Sequence, residues 1–253
     1  MNILEKILNV KRQEIQQIKD FEFGEMAGQN RSLKDALSKP GISVIAEIKM
    51  KSPSEGEIFP YADPAHIAKG YESAGAAAIS VLTDQSFFGG SLDILQSVRN
   101  AVSIPVIRKD FIIDQKQISE TIHYNGDAFL LIADALDQDS LQQLMNIGEM
   151  AGLEFLVEYH AEKHAEYIFA LNPEIVGINC RNLKTMATDI TYFEKMISSL
   201  PSNSVKVAES GIHTSDDLEY VSDLGYDAAL IGTSLMKTGN PEKALETLLG
   251  KIS

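Results

Sequence analysis

Short apolar, β-branched runs recur along the chain at 43–48, 77–82, 105–108, 128–132, 154–157, 175–178, 205–208 and 228–231. Runs of this length and composition read as strands, and there are eight of them. The segments between them space their apolar residues at helical intervals. Ile67, Tyr71 and Ala74 form one such set, and Leu141, Leu144, Met145 and Gly148 another. Several of these segments open on a helix-start signal. Asp63 precedes Pro64, which places a capping side chain before a first-turn proline, and Thr214-Ser215-Asp216-Asp217 reads similarly.

Strands that alternate with helices pair in parallel through right-handed crossovers. Eight such units in about 210 residues is the count that closes a barrel. The predicted fold class is therefore α/β, a single (β/α)8 TIM barrel over residues 41–253. An open doubly wound sheet would place a G-x-G-x-x-G turn after its first strand. Here that strand runs into Met50-Lys51-Ser52-Pro53-Ser54-Glu55-Gly56, which lacks the pattern. Residues 1–40 carry two further helical stretches, around 3–18 and 32–37. They are too short for a core of their own and are expected to pack on the barrel as an N-terminal extension, leaving residues 1–253 as one domain.

Composition narrows the function. A length of 253 residues suits one barrel, and 44% hydrophobic with 23% charged residues is ordinary for a globular protein. A net charge of −14 opposes nucleic acid as a partner and would repel a small anion at long range. An enzyme acting on such an anion must concentrate positive charge locally. The single cysteine, Cys180, allows no intramolecular disulfide and fits a reducing compartment. Glu5, Lys6, Lys11 and Arg12 interrupt the apolar residues of the amino terminus, so it does not read as a targeting signal. The longest apolar run, 128–133, is far short of a membrane span. A cytoplasmic protein with no membrane partner is expected.

In a barrel the active site forms at the carboxyl ends of the strands. The first run ends Glu47-Ile48-Lys49, and the two-residue period puts Glu47 and Lys49 on one side. The third ends Arg108-Lys109-Asp110, where only one of Arg108 and Lys109 can face inward. The fifth ends on Glu158, the sixth on Asn179 and the seventh on Glu209-Ser210-Gly211. A single charged residue at a strand end is ordinarily solvated or ion-paired. Five such ends on one face of the barrel form a pocket in which carboxylates and ammonium groups shift each other's pKa, as acid–base chemistry requires.

The turns Ser210-Gly211 and Gly232-Thr233-Ser234 follow the seventh and eighth runs, where barrel enzymes frequently hold phosphate. A Gly-Thr-Ser turn alone is common; two small-residue turns in both expected places point to an anion. His160 and His164, four apart, lack a third ligand for zinc and read as a solvated helix start. Cys180 has no suitably placed histidine to act as a nucleophile with. Phe88, in Phe87-Phe88-Gly89-Gly90, is either a core plug or a wall for an apolar part of a substrate.

At these residues the chain resembles the indole-3-glycerol-phosphate synthases. Val44-Ile45-Ala46-Glu47-Ile48-Lys49 running into Ser52-Pro53-Ser54 is similar to that family's opening signature. Ser80-Val81-Leu82-Thr83, Phe88, Pro105-Val106-Ile107-Arg108-Lys109-Asp110-Phe111, Leu156-Val157-Glu158, Gly177-Ile178-Asn179-Cys180-Arg181-Asn182-Leu183 and Ala208-Glu209-Ser210-Gly211-Ile212 follow in the family's order. The resemblance implies conversion of 1-(2-carboxyphenylamino)-1-deoxyribulose 5-phosphate into indole-3-glycerol phosphate, with loss of carbon dioxide and water and with no cofactor or metal. It makes Lys109 the general acid, Glu158 its acid/base partner and Lys49 a second cation that binds the carboxylate and assists dehydration. Glu47, Asn179, Glu209 and Ser210 support them. Ser52, Gly211, Gly232 and Thr233 fall where the family holds phosphate, and Phe88, Phe111 and Leu130 where it contacts the aromatic ring. Arg181 and Leu230 complete the implied substrate contacts. Such a protein takes a small anionic phosphosugar as its partner; a weak homo-oligomer or a contact with another pathway enzyme stays open.

The chain departs from the pattern at Glu55, where many relatives have lysine, and at Cys180, where many have a second asparagine. Asn125-Gly126-Asp127 also replaces a usual Gly-Ala-Asp. Other readings are a phosphoribosylanthranilate isomerase or ribulose-phosphate epimerase, a Schiff-base aldolase using Lys49 or Lys109, and a catalytically inactive binding barrel. The first two would not need Lys49, Lys109 and Glu158 together, and a scaffold has no use for buried charges.

Overall fold

The computed structural model describes residues 1–19, 21, 30–60, 62–182 and 185–251. Leu183, the last residue of the Gly177 motif, lies outside them. Eight parallel strands close a barrel in sequence order, with the first paired to both the second and the eighth. They span Ser43–Ile48, Ala78–Leu82, Val106–Lys109, Ala128–Ile132, Glu154–Tyr159, Ile175–Asn179, Val205–Glu209 and Ala228–Ile231. All eight predicted strands form. Four of them run one or two residues past their apolar stretch, because the polar residues that end them still belong to the ladder. Glu158 pairs with Ile132 and Gly177, and Asn179 with Glu209.

The two-residue period of each strand sorts its side chains into two layers. Val44, Ala46 and Ile48 join the core between barrel and helices, whereas Ile45 joins the barrel interior. The same alternation puts Ile107, Leu156, Ile175, Val207 and Leu230 inside. Continuing each inward row by one step reaches Lys109, Glu158, Glu209 and Gly232, and a second step from Ile175, past Gly177, reaches Asn179. The packing that fills the barrel thus also aims the polar strand ends at its mouth. Burying a Leu, Ile or Val in either layer contributes about 1.5–3 kcal/mol relative to exposure, so this register is strongly specified.

Helix caps follow the sequence signals. Asp63 accepts from Ala65 and His66 N–H groups ahead of the helix Pro64–Ala74, and Thr214 forms a reciprocal capping box with Asp217. In the amino-terminal extension, Asn2 and Glu5 cap the helix Ile3–Ile15. The expected helix to residue 18 ends earlier, because Gln17 and Ile18 donate three residues back, to Glu14 and Ile15, in tighter turns. Its Leu4, Ile7 and Leu8 pack with Phe111 and Ile132, so it lies over the carboxyl end of the barrel. Ser32 caps the helix Leu33–Leu37 and donates to Glu154 at the start of the fifth strand. Leu33 and Leu37, fully buried, close the opposite end. Among the described residues no helix is long and apolar enough to cross a membrane.

Candidate active site

The carboxyl ends of the strands open into a cavity of about 970 Å³ that includes open solvent. All sixteen residues singled out from the sequence line it: Glu47, Lys49, Ser52, Phe88, Lys109, Phe111, Leu130, Glu158, Asn179, Arg181, Glu209, Ser210, Gly211, Leu230, Gly232 and Thr233. At its floor, Lys109 Nζ donates to Glu158 Oε2 at 2.8 Å and to Glu209 Oε2 at 2.5 Å. Asn179 Nδ2 donates to Glu158 Oε1 at 2.9 Å. Beside them Lys49 Nζ donates to Glu47 Oε1 at 2.7 Å. Glu47, Glu158 and Glu209 are each at most 3% exposed.

Such crowding redistributes protons. Burial alone would lower the Lys109 pKa, but the negative charges of Glu158, Glu209 and Glu47 outweigh it and hold the ammonium well above its ordinary value. Burial would likewise raise Glu158, yet Lys109 and hydrogen bonds from Glu209, Lys109 and Asn179 pull it below the usual carboxylate range. Glu209 goes the other way. Burial and the adjacent Glu158 charge raise it well above that range, more than Lys109 can offset. Two carboxyls this close titrate as a coupled pair. The floor thus sets a charged lysine against a carboxyl pair whose proton is drawn toward Glu209 and away from Glu158.

Arg108 faces outward, as alternation requires once Lys109 faces in. Its guanidinium donates to Asp110 Oδ2 at 3.0 Å, to Thr83 Oγ1 at 3.1 Å and to the Gln117 carbonyl at 2.7 Å. The sequence reading missed Lys11, which joins this network from the amino-terminal helix. Its Nζ lies 2.9 Å from Asp110, 3.1 Å from Asp84 and 2.7 Å from Glu14, with its side chain 5% exposed. The signal was present, since residues 4, 7, 8 and 11 share the apolar phase of that helix.

On one side of the cavity Phe88 and Phe111 stand with ring centroids 6.2 Å apart, and Leu130 and Leu230 line the same cavity from the fourth and eighth strands. On the other are the two small-residue turns. Ser210 has φ +71 and Gly211 φ +73, so a non-glycine residue is held in the left-handed region at the end of the seventh strand. A Cβ at Gly211 would also sit 2.9 Å from Cys180 Sγ. Gly232 has another reason to lack a side chain, one not visible in the sequence. A Cβ there would lie 2.6 Å from Glu47 Oε1 and 3.0 Å from Glu47 Cβ. The short helix Thr233–Met236 follows directly, with no side-chain cap at its start. Of the departures, Glu55 pairs with Lys237 across the mouth at 2.5 Å, and buried Cys180 donates its thiol to the Ser210 carbonyl.

His160 and His164 do not share a helical face. His160 leaves the end of the fifth strand with Nδ1 2.8 Å from the Asn179 carbonyl. His164 lies in a 3₁₀ turn, between Asp134 and the Tyr167 hydroxyl. Burial raises the Cys180 thiol to about 12, so it stays protonated and is a poor nucleophile.

The fold is shared widely. A thiamine phosphate pyrophosphorylase from Pyrococcus furiosus superposes with a TM-score of 0.62 at 14% identity, covering 87% of this chain and 96% of that one. Sequence relatives are much nearer. An indole-3-glycerol phosphate synthase from Halalkalibacterium halodurans is 43% identical over 98% of this chain and 97% of the relative. One from a Geobacillus species is 44% identical over 99% and 98%, and one from Mycolicibacterium gilvum 46% identical over 85% and 79%. The family model for indole-3-glycerol phosphate synthase matches residues 4–248. This chain belongs to the indole-3-glycerol phosphate synthase family.

Proposed function

We propose that this barrel closes the indole ring of indole-3-glycerol phosphate, acting as a carboxy-lyase on 1-(2-carboxyphenylamino)-1-deoxyribulose 5-phosphate. The observation that carries the reading is Lys109 held between Glu158 and Glu209 on the cavity floor, with an aromatic wall on one side and two small-residue turns on the other. The substrate divides the same way, into an aryl carboxylate and a phosphorylated sugar chain. Phe88, Phe111, Leu130 and Leu230 bound the aryl ring; Ser52, Gly211, Gly232 and Thr233 face the phosphate. Arg181 and Lys49 supply local positive charge in a protein of net charge −14. This division does not favour the isomerase and epimerase readings.

Ring closure forms a carbon–carbon bond at the ketone, whose oxygen becomes anionic as the bond forms. Lys109 stabilises that charge and gives it a proton. Its raised pKa keeps it in the protonated state an acid must start from, and the strongly basic oxyanion makes the transfer favourable. Loss of carbon dioxide restores the aromatic ring. Expelling the new hydroxyl as water then needs a second proton and a base. Glu158, held low, fits the base; Glu209, held high and touching Lys109, is placed to return a proton to it. Lys49, paired with Glu47, binds the carboxylate and assists dehydration.

Glu158→Gln tests the assignment. It keeps the shape but exchanges no proton, so kcat should fall about 10²–10⁴-fold with KM little changed. A rise in KM alone would make Glu158 a binding residue only. We also place the protein in the cytoplasm, as one domain in which residues 1–40 serve the barrel. The buried Leu4, Ile7, Leu8, Leu33 and Leu37 support that last reading.

A further inference from the structure

The fifth and sixth strands carry Glu158 and Asn179, and their backbone ladder reaches Tyr159 opposite Ile178. One residue on, the fifth strand leaves the sheet, and its His160 N–H donates sideways to Asp134 Oδ2 at 2.7 Å. The Asn179 carbonyl takes a hydrogen bond from a side chain instead, His160 Nδ1 at 2.8 Å. A peptide carbonyl only accepts, so Nδ1 carries the proton. The imidazole is itself clamped. It stacks on Tyr192, with centroids 4.9 Å apart and 27° between planes, and the Tyr192 hydroxyl donates to the His160 carbonyl. Asp134 holds the N–H groups of both His160 and Ala161. The ring does not line the cavity.

We propose that His160 is a positioning residue, whose Nδ1–H supplies the rung the backbone lacks and so fixes the end of the sixth strand. What it fixes is specific. The Asn179 amide donates to Glu158 Oε1 at 2.9 Å, and its Oδ1 accepts the Arg181 N–H at 3.0 Å, so both ends of the amide are committed. Glu158 in turn points its other oxygen at Lys109. Releasing the Asn179 carbonyl lets the amide drift and turns Glu158 away from its proton partner. Small misplacements of that kind are expensive in turnover. The inference rests on Glu158 being the proton carrier proposed above.

Three substitutions test it through the position of one donor. Asn places Nδ2 about where imidazole Nδ1 lies, Gln places its donor one bond farther out, and Leu has none. In His160→Asn, kcat should stay within about threefold of the parent. In His160→Gln and His160→Leu it should fall about tenfold, the size of one net hydrogen bond, with KM near the parent value. Equal kcat in the Asn and Gln variants, or losses confined to KM, overturns the proposal. Comparing Asn with Gln keeps the test valid even where Leu does not fold. Glu158→Gln is measured alongside. If it retains turnover, the role of Glu158 fails and His160 has nothing to position. If it loses turnover while His160→Gln and His160→Leu keep theirs, the rung alone fails.

Discussion

Gly232→Ala separates two reasons for a glycine in the turn proposed to hold phosphate. The added Cβ would lie 2.6 Å from Glu47 Oε1, the atom that accepts from Lys49 at 2.7 Å. Glu47 is 3% exposed, so it has little room to retreat. Overpacking of this kind costs about 1–3 kcal/mol, and in a domain of this size each kcal/mol lowers Tm by roughly 2–4 °C. A Tm loss of about 2–12 °C is expected, together with a lower kcat as Lys49 loses its anchor. The assay is thermal denaturation of Gly232→Ala, Glu47→Ala and the double variant. Glu47→Ala removes the 2.6 Å contact with Oε1 but keeps the Cβ at 3.0 Å, so the double variant should recover part of that cost, about 1–2 kcal/mol, relative to additivity. If glycine serves only phosphate approach, stabilities add. KM for the phosphorylated substrate then rises in Gly232→Ala while a dephosphorylated analogue is unaffected. Additive stabilities would refute the steric reasoning.

Removing Lys11 strands Asp84, fully buried and with Lys11 as the partner of its Oδ2, so Lys11→Met should cost about 3 kcal/mol; a Tm within about 2 °C of the parent contradicts this. The same network holds Asp110 down to about 2, because the charges of Arg108 and Lys11 outweigh burial, which alone would raise it. Its folded pKa lies below the unfolded value of about 3.9, so the stability it contributes is present above about pH 4 and is lost as pH falls toward 2. In Lys11→Met the folded pKa of Asp110 rises toward the unfolded value, so that loss should be smaller and be complete at higher pH in an acid-unfolding titration. At the mouth, Glu55→Lys faces Lys237 with a like charge and should raise KM, and adding Lys237→Glu should restore it; a swap that restores nothing means the pair does not hold that loop.

Most of this site was legible because a barrel turns chain order into geometry. Once eight runs are read as parallel strands, every strand end falls on one rim, and the two-residue period separates Lys109 from Arg108. What escaped depends on contacts between elements distant in sequence. Lys11 meets Asp110 across about a hundred residues, and only the docked helix shows that one lysine completes a carboxylate network of another loop. Gly232 reads as a phosphate turn, but its contact with Glu47 arises because the eighth strand closes on the first. The left-handed Ser210 is invisible for a different reason: serine carries no signal for that conformation, and the surrounding fold imposes it.

The most direct test of the central claim is the turnover of Lys109→Ala on purified substrate, following indole-3-glycerol phosphate by its fluorescence on a variant whose fold is checked by circular dichroism. Lys109 contacts both Glu158 and Glu209, and its ammonium is the group assigned to the developing oxyanion. The account predicts a kcat lower by about 10²–10⁴-fold with KM changed far less. A folded variant that turns over at nearly the parent rate would contradict it.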